Sequence, residues 1–288
     1  MTNYQRILIP MNLALGNGVL TPAVRRLITI EEAEITLLHV VESQPWLGRH
    51  GHAARLMSEL ELFAHRQLRG ARITRRIEWG RPADCIVRTV VATGADVMLI
   101  SAGPPSTNPA EPGAIVAEVL ADSPCPVLIE WPVSPPVNRA RVQPVCCAIE
   151  FDGSEEDVLG EALRAAERIQ APLILVGAVV PKGARSAVLW DLDERARATA
   201  ALQARVAEFA GRWAPDAEAH VGVGMTASVV SRALRLYGAG LLVTGGGPDA
   251  PMAAESECPV LYVGALTRQR AEHSRAPGRP LAAHRRSA

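Results

Sequence analysis

Arg6-Ile-Leu-Ile-Pro-Met-Asn12 and Val145-Cys-Cys-Ala-Ile-Glu-Phe-Asp152 are two short, nearly unbroken apolar runs, one in each half of a 288-residue chain. Each is the first of an ordered set. Glu34-Ile-Thr-Leu-Leu-His-Val-Val41 is answered by Pro172-Leu-Ile-Leu-Val-Gly-Ala-Val179, and Ala95-Asp-Val-Met-Leu-Ile-Ser101 by Ala239-Gly-Leu-Leu-Val-Thr-Gly245. Cys125-Pro-Val-Leu-Ile-Glu130 is answered by Cys258-Pro-Val-Leu-Tyr-Val263. Matched segments in the same order make an internal repeat, and the repeat sets the architecture. Runs this short and this apolar suit strands buried on both faces, as in a parallel sheet.

Helical stripes lie between the runs: Leu56, Leu60 and Phe63; Ile86 and Val90 with Val87 and Val91; Val158, Leu159, Ala162, Leu163 and Ala166; Val229, Val230, Ala233 and Leu234. The alternation predicts β-α-β-α-β-α-β-(α)-β in each half. The fold class is α/β, two tandem doubly wound domains, each with a five-stranded parallel sheet. The join falls in Trp131-Pro-Val-Ser-Pro-Pro-Val-Asn-Arg139, where three prolines stop any regular element. Domain boundaries are set at 1–132 and 140–265. The tail, 266–288, holds six arginines against Glu272 and reads as a solvated, disordered terminus rather than a nucleic-acid arm.

Composition narrows the function. Lys+Arg and Asp+Glu are both 30, so no global charge favours a nucleic acid or another polyanion. A membrane partner is not expected, because no apolar run approaches the ~18–20 residues needed to cross a bilayer; with no signal-like segment at the N-terminus, the expected location is the cytoplasm. Five cysteines, an odd number in a long chain, do not suggest a disulfide scaffold. One lysine, Lys182, stands against 29 arginines, which reads as composition bias.

The order of elements, Pro10 inside the first strand, His39-Val-Val41 at the end of the second and the strand-opening Cys-Pro-Val-Leu together resemble the universal stress protein family in its tandem form. That fold is of the adenine nucleotide alpha hydrolase type. The resemblance covers roughly 5–131 and 144–264. Asp152-Gly-Ser-Glu155 matches the Asp-Gly-Ser signature that follows the family's first strand. The resemblance implies that Val127 to Trp131 and Val260 to Gly264 pair across a twofold axis, an intrachain pseudo-dimer that hides two apolar edges. A homodimer of the whole chain is a further possibility.

ATP-binding members carry an Asp after strand one and Gly-x2-Gly-x9-Gly-Ser/Thr after strand four. Glycines let backbone amides crowd the phosphates, a hydroxyl adds a donor, and a helix N-terminus favours the charge. The first half keeps Gly103, nine residues and Gly113, but Ser101 takes the first glycine position, Ala114 the hydroxyl position and Asn12 the Asp position. Between Ser101 and Gly113 there are four prolines, which have no N–H to give, and neither Lys nor Arg. The second half keeps Asp152 and Gly153, but its connection from fourth to fifth strand has collapsed. Ser101 to Cys125 is 24 residues; Gly245 to Cys258 is 13, which removes about three helical turns. Gly245, Gly246 and Gly247 survive, as an amide cradle or as a tight reversal. Asp152 reads equally as a ligand-facing carboxylate and as a turn former or N-cap. The nucleotide positions, if any nucleotide binds, are Pro10, Asn12, Val40, Ser101, Gly103, Gly113, Ala114, Asp152, Gly153 and Gly245 to Gly247.

Other chemistry is weaker. Gly16-Asn-Gly18 lacks the third glycine of a dinucleotide loop. His50-Gly-His52 has no third metal ligand at a suitable spacing and reads as an exposed loop, so no metal is expected. His39 reads as a strand-end histidine, and Cys146 and Cys147 as core residues on opposite faces. No acid/base pair stands ready for catalysis, so an enzyme is not expected. Three readings remain open: a stress-response regulatory or scaffold protein with degenerate ATP sites and no cofactor, acting through protein contacts; an ATP sensor using the first half; and a small-ligand carrier with a pocket near Asp152 and Gly245.

Overall fold

The structure is a computed structural model and describes residues 4–13, 20, 22–28, 32–42, 49–101, 114–130, 142–181, 191–245 and 258–264. The first half runs β1 (Arg6–Met11), α1 (Pro22–Leu27), β2 (Glu34–Val41), α2 (Arg49–Gln67), β3 (Arg72–Trp79), α3 (Pro82–Thr93), β4 (Val97–Ser101), α4 (Ala114–Asp122) and β5 (Val127–Glu130). The second runs β6 (Val145–Ile149), α5 (Glu155–Ile169), β7 (Leu173–Val179), α6 (Leu192–Trp213), β8 (Glu218–Val223), α7 (Thr226–Tyr237), β9 (Leu241–Thr244) and β10 (Val260–Tyr262).

All ten strands form one sheet in the order β3-β2-β1-β4-β5-β10-β9-β6-β7-β8. Pairing is parallel within each half and antiparallel only at β5·β10, where Val127 faces Tyr262, Leu128 faces Leu261 and Ile129 faces Val260. Right-handed crossovers then place the helices by direction of travel. α1, α2, α5 and α6 cover one face, around Leu60, Phe63, Val158 and Val206; α3, α4 and α7 cover the other, around Ile86, Val119 and Val230. Equivalent helices share a face while the central strands run oppositely, so the pseudo-twofold axis stands normal to the sheet. The carboxyl ends of the two sets of strands therefore open at opposite edges.

The repeat holds at the level of single hydrogen bonds. Gly80 N donates to Val41 O and Gly224 N to Val179 O, each at 3.1 Å. Both glycines turn the chain from third strand to third helix at φ of 142° and 139°, where only glycine is unstrained. The prolines of Cys-Pro-Val-Leu give up an N–H but not a carbonyl: Pro126 O accepts from Met98 N and Pro259 O from Leu242 N. Cys146 and Cys147 fall on opposite faces, both buried. Tyr4 of the first half donates its hydroxyl to Glu161 Oε2 of α5 at 2.8 Å.

Two expectations change. His50-Gly-His52 lies in the first turn of α2, not in a loop, because the helix begins seven residues before its first buried leucine, Leu56. Val91 is 65% exposed and points away from the core that holds Val90. Gly16-Asn-Gly18, the Trp131–Arg139 join and the tail lie outside the described residues.

Candidate functional site

In an open α/β sheet the ligand crevice opens where strand order reverses, beyond the carboxyl ends of the strands. Here that is between β1 and β4, and between β6 and β9. The β1·β4 ladder stops at Leu8↔Met98, although β1 runs on to Met11 and β4 to Ser101. The β6·β9 ladder stops at Cys147↔Val243, short of Ile149 and Thr244.

The first-half crevice gathers Pro10, Asn12, Val40 and Ser101 at one edge. Pro10 pairs with Leu38 and is half-buried; Asn12 follows β1 and is exposed. His39 Nδ1–H donates to Met11 O at 2.9 Å, which holds the end of β1 against β2. Val40 is half-buried against the α3 face, Ser101 is exposed opposite Glu130, and Ala114 opens α4. Arg81, at the same edge, is held by Glu118 at 2.9 Å and Asp84 at 3.8 Å. Gly103 and Gly113 lie outside the described residues.

The second-half crevice carries a cluster of carboxylates at its edge. Strand register gives the equivalences directly: Ile7 stands opposite Val97 as Val145 stands opposite Leu241. Counting on from these pairs puts Glu150, not Asp152, at the position of Asn12. Asp152 lies two residues further, in the turn before α5. Its Oδ1 accepts from Ser154 N at 2.9 Å and from Ser154 Oγ. Gly153, at φ 95°, donates its N–H to Glu155 Oε2 at 2.8 Å. Asp152 thus closes this turn. Phe151 carries a left-handed φ of 53° and is anchored on α6, edge-on to Phe209 at 5.7 Å and under the Arg205 guanidinium at 4.1 Å.

Partial burial, and then the neighbouring Asp152 carboxylate, push the Glu150 carboxyl above the usual range. The first turn of α5 adds Glu155, Glu156 and Asp157, which suit the helix dipole but occupy the place where a phosphate would profit from it. Gly245 is buried, and Thr244 O, beside it, accepts from Val263 N at 2.8 Å; Gly246 and Gly247 lie outside the described residues. The Asp-Gly-Ser signature draws the sequence alignment two residues along, past Glu150; only the strand register, which equates Val145 with Ile7, identifies it.

A shallow depression of about 410 Å³ lies elsewhere, between α6 and the end of β8, lined by Leu192, Arg195, Thr199, Gln203 and Val223 among others. Among the described residues no three His, Cys, Asp or Glu side chains gather as a metal site. No helix among them is long and apolar enough to cross a membrane.

Comparison with known proteins agrees with this architecture. Residues 3–129 match the model of the universal stress protein family. No curated protein matches the chain. Among solved structures, a functionally unknown protein from Pseudomonas aeruginosa PAO1 superposes with a TM-score of 0.62 at 16% identity, covering 93% of this chain and 98% of its own. A universal stress protein from Archaeoglobus fulgidus DSM 4304 gives 0.61 at 15% identity, with 91% and 98% covered. At such identities the likeness is one of fold, and it extends over both halves. The likeness to the universal stress protein family is carried in sequence by residues 3–129, and the second half builds the same fold again.

Proposed function

We propose that this chain is a stress-response regulatory or scaffold protein that acts through protein contacts, catalyses no reaction and holds ATP at neither switch point. The observation that carries this reading is the loss of the phosphate-binding parts after the fourth strand. In the second half Glu150 keeps a carboxylate where the ATP-binding members carry an Asp, but the connection from Gly245 to Cys258 is 11 residues shorter than that from Ser101 to Cys125, which removes the distal glycine, the hydroxyl and the helix they open. In the first half, Asn12 carries no charge and Ala114 has no hydroxyl to donate.

Calorimetric titration and thermal shift with MgATP test the reading. Ligand at 100 times Kd stabilises a fold by roughly 2.7 kcal/mol. No heat and no shift at millimolar MgATP are expected; a saturable shift overturns the proposal. One observation favours a second reading, a nucleotide sensor in the first half: it keeps the nine-residue spacing from Gly103 to Gly113 that the second half has lost. Should binding appear, Asn12→Ala will weaken it if the first half is responsible. The carrier reading is less well supported, since the depression found lies against α6 and β8 rather than beside Asp152 and Gly245.

A further inference from the structure

β3 ends the sheet at the first-half side, and its outer backbone groups meet no strand among the described residues. Arg72 N donates to Ala33 O and Gly80 N to Val41 O, so the even-numbered residues of β3 turn their backbone toward β2. In a parallel ladder the alternate residues turn theirs the other way. Ile73, Arg75, Ile77 and Trp79 therefore present N–H and C=O groups outward along eight residues of strand.

The side chains along this edge are complementary to their own antiparallel copy. In the register that places Ile73 opposite Ile77 of a second copy, Arg72 faces Glu78, Thr74 faces Arg76 and exposed Trp79 covers Ala71. Opposite charges and apolar pairs directly across an antiparallel ladder stabilise it. Arg75 alone meets itself, at the dyad, and there each guanidinium is already held by Glu61 of α2 at 2.9 Å. Shifting the register by two residues brings Arg72 against Arg76, or Arg76 against Arg76. The charges that would repel most foreign strands thus admit one register of one partner. β8, the other edge, is a poorer partner: its Glu218 accepts from Tyr237 Oη at 2.7 Å and its His220 packs on the same ring. A β3·β8 contact would also leave an open chain of molecules instead of a closed pair.

We propose that two copies of this chain associate through β3, antiparallel about a twofold axis, with Ile73 opposite Ile77 and Arg72 opposite Glu78 of the second copy. The arrangement repeats between chains what β5·β10 does within one.

Light scattering coupled to size exclusion, across a micromolar dilution series, tests this. The wild type is expected at twice 30.7 kDa. Glu78→Arg sets like charges across the ladder and should give the monomer mass; adding Arg72→Glu to it should restore the dimer. The exposed Arg72–Glu34 pair lost in that exchange contributes little. Arg75→Pro removes an outward N–H without touching β2, and should give monomers with unchanged far-UV circular dichroism. A monomeric wild type, a dimer that survives Glu78→Arg, a double exchange that stays monomeric, or growth beyond the dimer would each overturn the proposal.

Discussion

At Tyr4 one hydroxyl ties the two halves together. It donates to Glu161, a carboxylate 7% exposed that also pairs with Arg164 at 3.0 Å. Tyr4→Phe strands part of that buried acceptor and should cost about 1–2 kcal/mol in urea unfolding. Burial, and then Glu161, hold the Tyr4 hydroxyl well above its ordinary 10.0. Burial also pushes the Cys146 thiol from 9.0 up to about 12, and the Cys147 thiol higher still. The unfolded chain releases these protons first, so stability is full below pH 9 and falls as pH rises through about 12. Urea midpoints measured against pH should show that decline, and Cys147→Ala should make it shallower. Glu150 follows the same sign at acid pH. Its raised carboxyl pKa means that ionisation near neutrality opposes folding, so Glu150→Gln should raise Tm at pH 7 and leave it unchanged near pH 4. A melting point at pH 7 no higher than wild type would show that the carboxylate carries no such penalty.

Among the elements, the β5·β10 seam is short and wholly buried. Leu128 and Leu261 face each other within the core that α5 and α6 also share. Leu261→Ala removes a side chain 1% exposed and should cost about 2–5 kcal/mol by urea unfolding. Where α7 crosses β8, a Cβ on Gly222 would lie 2.6 Å from Val229 Cγ1, so Gly222→Ala should cost about 1–3 kcal/mol through overpacking, measured the same way. The central strands announced themselves as continuous apolar runs because both their faces are covered. β3 and β8 did not, because each is an edge: Arg72-Ile-Thr-Arg-Arg-Ile-Glu-Trp79 puts only one face on helices and leaves Arg72, Thr74, Arg76 and Glu78 on the other. The apolar stripe of α2 begins only at Leu56, because Arg49-His-Gly-His-Ala-Ala-Arg55 offers no large apolar residue for periodicity to reveal.

For the molecule as a whole, the continuous sheet makes the halves interdependent. A chain cut to residues 1–139 loses β10 and bares Val127, Leu128 and Ile129 along β5. It should dimerise or aggregate through that edge, and a monodisperse monomer by light scattering would contradict this. The amino-acid order alone carried the duplication and the β/α alternation, since both are written in local apolar runs or in their repetition, while the pairing of the last strands was implied by the family resemblance. Which residue faces the second crevice was decided only by folding. Phe151 takes a left-handed backbone because α6, over fifty residues away, supplies Phe209 and Arg205 to hold its ring. That anchor turns Asp152 back onto Ser154 and leaves Glu150 at the strand end. A contact between segments so distant is set by packing, and a short motif has no means to record it.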